Sequence, residues 1–68
     1  MKIEEAIVYL LASSHQGMKI DQVARELELR GLFCRRDGKS IDGRMVYAIV
    51  MHHPDVFCFN EGRVRLLM

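Results

Sequence analysis

Sixty-eight residues hold one domain and one core, and a chain this short buries only about 60% of the surface its unfolded form exposes, so its stability is marginal. Half of the residues are apolar and 28% are charged, the balance of a folded domain, which excludes a disordered tail. The net charge of +1 hides a division: residues 1–29 carry three cations against five acids, a net −2, whereas residues 30–68 carry seven against four, a net +3.

The first element is read from Ile3, Ile7, Leu10 and Leu11, whose spacing is that of an amphipathic helix. Glu4 and Glu5 fall in its first turn, where the helix dipole favours negative charge, and Ser13, Ser14 and Gly17 close it, which predicts a helix over residues 3–14. Met18-Lys19-Ile20 is a short extended stretch that ends at Asp21, a residue suited to cap the following helix. Val23, Ala24 and Leu27 give that second helix, residues 22–30, its inward face, and Gly31 supplies the left-handed stop. Residues 34–40 form a polar, basic loop with an Asp-Gly turn signal. Ser40 is expected to cap a third helix, residues 41–52, with Met45, Val46, Ile49, Val50 and His52 on or beside its inward face and Pro54 ending it.

The pattern then changes to period two. Phe57 and Phe59 alternate with Cys58, and Val64 and Leu66 alternate with Arg63 and Arg65, with Asn60-Glu61-Gly62 between them as a tight turn. A lone hairpin is not stable in water, so this one must lay a face on the helices, and residues 18–20 are placed to join it as a third strand. The predicted fold is therefore α+β, a winged helix-turn-helix: three helices with a small antiparallel sheet whose hairpin is the wing, in a single domain over residues 1–68.

No segment approaches the roughly 18 apolar residues that span a bilayer, and Glu4 and Glu5 stand where a signal peptide carries bare positive charge, so a cytoplasmic address with no membrane partner is expected. In that compartment Cys34 and Cys58 are expected as thiols. His15, His52 and His53 with those cysteines are the residue types that bind zinc, but no C-x-x-C or H-x-x-x-H spacing is present, and Cys58 sits between two strand phenylalanines. No metal or other cofactor is expected. No nucleophile motif, acidic pair or phosphate loop occurs, and so small a chain does not enclose a substrate, so no enzyme activity is expected.

Taken in order, these residues resemble the HARE-HTH domains, a winged-helix group found in chromatin regulators, some restriction endonucleases and the delta subunit of bacterial RNA polymerase. Ile3-Glu4-Glu5-Ala6-Ile7 fits the opening helix of that family, and residues 17–24 fit its turn, strand and second-helix start. Gly31-Leu32 fits the close of the second helix, Ser40 through Ile49 the third helix, and Phe57 with residues 62–66 the terminal hairpin. Ile41 stands where the family often has proline, and Val64 where an aromatic is common. These positions are core, caps and turns, so the resemblance implies the fold directly; as to activity, it implies DNA binding or protein contacts.

Two functional readings follow. In the first, the chain binds double-stranded DNA, weakly on its own, through the third helix and the hairpin of residues 56–67, in a transcription- or chromatin-related role at a nucleoid or in a nucleus. In helix-turn-helix proteins the second helix of the motif enters the major groove with its N-terminal residues nearest the bases. That assigns Arg44 to a guanine edge or a phosphate, Gly43 to close backbone approach, and Tyr47 to the exposed face. Arg35, Arg36, Lys39 and Ser40 before the helix, and Arg63 and Arg65 on the wing, would meet phosphates. In the second reading the same surfaces contact a protein partner or a second copy, with Met51, Leu67 and Met68 as an apolar patch.

Overall fold

The computed structural model describes residues 2–14 and 16–67. His15, weighed above for zinc, and Met68, weighed for the apolar patch, lie outside the described residues. The elements follow one another as α1 (Ile3–Ala12), β1 (Met18–Lys19), α2 (Ile20–Leu29), α3 (Gly43–His52), β2 (Phe57–Asn60) and β3 (Arg63–Leu66). The fold is α+β, with the helix and strand order of a winged helix.

α1 buries Ile3, Ala6, Ile7, Leu10 and Leu11, the predicted stripe together with Ala6. It ends two residues before the expected Ser14. The Ser13 hydroxyl donates to the Leu10 carbonyl at 2.9 Å, and the Ser14 hydroxyl donates to the Gly17 carbonyl at 3.0 Å, so both serines offer the backbone an alternative to the next helical turn.

α2 starts at Ile20, not at residue 22. Lys19, in extended geometry at the end of β1, is its N-terminal boundary, and Asp21 lies in the first turn instead of capping it. The strand hands over to the helix without a linker, which leaves Asp21 no room to stand outside. The other end closes as a Schellman motif: Gly31 is left-handed at φ +64, its N–H donates to the Glu28 carbonyl at 3.1 Å, and the Leu32 N–H reaches the Leu27 carbonyl at 3.0 Å.

α3 starts at Gly43, two residues later than expected, and its cap is Asp42 in place of Ser40. The Asp42 carboxylate accepts the Met45 N–H at 2.9 Å. Ile41 fixes this start: it is buried in the core ahead of the helix, and its N–H donates to the Glu28 carboxylate of α2. Val46 and Val50 form the buried face, with Met45 and Ile49 half-buried beside them, while His52 is exposed. His53 leaves helical geometry immediately before Pro54.

The sheet is antiparallel in the order β1-β3-β2, so β3 is central. Phe57 stands opposite Leu66, Phe59 opposite Val64 and Asn60 opposite Arg63. Ile20 belongs to α2, leaving Met18 and Lys19 as the third strand, opposite Val64 and Arg63. Asn60 is likewise a paired residue, and the turn is the two residues Glu61 and Gly62, both left-handed at φ +54 and +76, the geometry of a tight hairpin turn. Met18, Phe57 and Val64 face the helices and complete the core with Ile7, Leu10, Val23, Leu27, Val46 and Val50. Gly17 leads into β1 at φ +78, where a Cβ would lie 2.5 Å from the Val64 carbonyl oxygen, so no other residue fits. Among the described residues no helix is long and apolar enough to cross a membrane.

Candidate nucleic-acid interface

The basic residues singled out in the sequence fall into three places. The first is the loop before α3. Arg35 is held there: its guanidinium pairs with Asp37 at 2.7 Å and reaches toward the Ser40 carbonyl at 3.5 Å. The Asp37 carboxylate also accepts the Lys39 N–H at 3.0 Å. That amide bond, then the Arg35 guanidinium, hold the Asp37 carboxyl below its usual range. Arg35 is thus committed to shaping the loop, while the side chains of Arg36, Lys39 and Ser40 are exposed.

The second place is α3. Arg44 is exposed near its start, but the start is acidic. A hollow of about 520 Å³ there is lined by Ile20, Asp21, Asp42, Gly43, Arg44 and Tyr47. Asp42 occupies one of the free N–H groups that would otherwise receive a phosphate. Gly43 is half-buried, and the space beside it is used within the chain: a Cβ would stand 2.7 Å from Asp21 Oδ1 and 3.2 Å from Ile20 Cγ2. The missing side chain accommodates the start of α2, a reason different from the close approach of a ligand backbone. Farther along, Tyr47 (46% exposed) packs edge-on against Phe59 of β2, with ring centres 5.5 Å apart, and Met51 (52% exposed) continues the apolar strip.

The third place is the outer face of the sheet. Val64 points into the core, so its neighbours Arg63 and Arg65 point away from it. The register adds Lys19, directly opposite Arg63. The other outward positions are Cys58, opposite Arg65, and Asn60, opposite Arg63. Lys19 was absent from the sequence-derived site. Its alternation with Met18 and Ile20 hinted at an outward side chain, but the neighbour that makes it part of a cluster is set by strand pairing alone.

Among the described residues no group of three or more histidines, cysteines or acids is arranged to hold a metal ion. Cys34 and Cys58 are exposed free thiols. In comparisons with known proteins, the chain matches no family model, no curated protein and no solved structure.

Proposed function

We propose that this chain is a non-catalytic winged-helix module that binds duplex DNA. The observation that carries the reading is the state of its cations. Among the described residues the only ion pairs are Arg30 with Glu26 and Arg35 with Asp37. Arg36, Lys39, Arg44, Arg63 and Arg65 of the basic half are left without an acidic partner. Unpaired cations on a surface gain by displacing the counterions condensed on a phosphate backbone. The resemblance of the framework residues to HARE-HTH domains supports the same reading and a transcription- or chromatin-related role, at a nucleoid or in a nucleus.

Fluorescence anisotropy of a labelled duplex of 15 base pairs tests it. The expected outcome is binding with a dissociation constant on the order of 10⁻⁵ M at low salt, weakening steeply as salt rises. Absence of binding at 50 mM salt defeats the DNA reading.

One observation favours a second reading, a protein-interaction module. Tyr47, Met51 and Phe59 form an exposed apolar strip along α3 and β2, on the face a groove-reading helix ordinarily lines with hydrogen-bonding groups. Failure to bind duplex at low salt leaves this reading standing.

A further inference from the structure

Within the DNA-binding reading, on which this inference rests, we infer that the duplex is held by the outer face of the sheet through its phosphates, and that α3 does not enter the groove. The contact is formed by Lys19, Arg63 and Arg65. Lys19 and Arg63 are directly opposed on neighbouring antiparallel strands, an arrangement that sets two like charges about 5 Å apart at the backbone and destabilises the sheet. Arg65 lies two residues along β3 on the same face, about 7 Å from Arg63. No acidic residue occurs in any of the three strands; the hairpin's one acid, Glu61, lies in its turn, and among the described residues none of the three cations forms an ion pair. The neutral outward neighbours, Asn60 and Cys58, leave the cations open to an anion, and Asn60 adds a side-chain donor.

Three cations carried on backbone positions about 5–7 Å apart on a rigid sheet match a ligand that presents several anionic groups at short, regular spacing, which a nucleic-acid backbone does. The start of α3 is the reverse case: Asp21 and Asp42 line the same hollow as Arg44, and a phosphate brought there meets two carboxylates and a helix end already capped. The outward residues that follow on α3 are Tyr47, Ala48, Met51 and His52; they carry one hydroxyl, one thioether and, only in the last turn, one imidazole, a poor set for reading base edges from a helix that enters the groove by its N-terminal end. Binding through the sheet is consequently independent of DNA sequence.

The test compares the wild type with two triple variants on two duplexes of unrelated sequence between 50 and 200 mM salt. In the first variant Lys19, Arg63 and Arg65 are all changed to Gln; in the second, Arg36, Lys39 and Arg44. Three phosphate contacts give a logarithmic salt slope of about −2.7, a weakening of roughly 40-fold over this range. Lys19→Gln/Arg63→Gln/Arg65→Gln is expected to lose at least tenfold in affinity and most of the slope, and the two duplexes are expected to bind alike. A larger loss in the Arg36/Lys39/Arg44 variant, or clear preference for one duplex, overturns the inference while leaving DNA binding intact. No binding by the wild type, or binding to anionic phospholipid vesicles without binding to DNA, defeats both. Circular dichroism checks that the variants fold. Amide shifts in the wild type give an answer that needs no variant: perturbation centred on β1 and β3 supports the sheet, and perturbation centred on α3 overturns it.

Discussion

At Gly17 the chain passes beneath the central strand with no space for a side chain. The left-handed backbone there already costs an L-residue about 1–2 kcal/mol, and a methyl group would also press on the Val64 carbonyl, which cannot move without breaking the sheet register. Gly17→Ala is expected to destabilise the domain by at least about 2 kcal/mol, read as a lower midpoint in urea unfolding. An unchanged midpoint would mean that the entry to β1 is not fixed in this way. The contrast with Gly31 is instructive. Gly31 is also left-handed, but no atom lies within 4 Å of a Cβ there, so its constraint is conformational alone. Both glycines were legible as stops in the sequence, but the close approach at Gly17 was not, because the carbonyl it meets lies in a strand far along the chain.

At the scale of elements, the helix ends show what local pattern can and cannot decide. Asp42→Ala removes the side chain that accepts the Met45 N–H and is expected to cost about 1 kcal/mol. Ser40→Ala, at the cap position expected from the sequence, is expected to cost much less; comparing the two unfolding midpoints checks the assignment. The expected cap was Ser40, and Asp42, two residues on, is a residue type equally suited to the role. Burial of Ile41 and its bond to Glu28 select the later one, and neither fact can be read from residues 40–52 alone. Asp21 was misplaced for a related reason, since β1 runs straight into α2. The apolar stripes of α1 and α2, the Pro54 stop and the alternation of the hairpin were legible, because burial periodicity and backbone restriction act within a few residues.

At the scale of the whole molecule, stability rests on one small core into which every helix and strand sends a side chain. Leu27 is fully buried in it, and Leu27→Ala is expected to cost about 2–5 kcal/mol, a large part of what a domain of this size has to spare. Loss of a cooperative thermal transition near ambient temperature would agree with that; a shift of only a few degrees would not. The candidate interface belongs to this scale as well. Its cations were legible one by one as residue types in a basic half. Their sorting was not: Arg35 is bound to Asp37, Arg44 shares its hollow with Asp21 and Asp42, and Lys19 joins Arg63 only when strands 44 residues apart come together.

The central position of β3 also bears on how the chain acquires its structure during synthesis. Residues 63–66 form both ladders of the sheet, so β1 and β2 have no partner until those residues have left the ribosome. The three helices precede them and can associate earlier, but Met18 and Phe57 then lack the strand that pairs with both of theirs. A chain cut before residue 63 is therefore expected to keep helix content but lose the sheet, and residues 63–66 act as the latch that closes the fold.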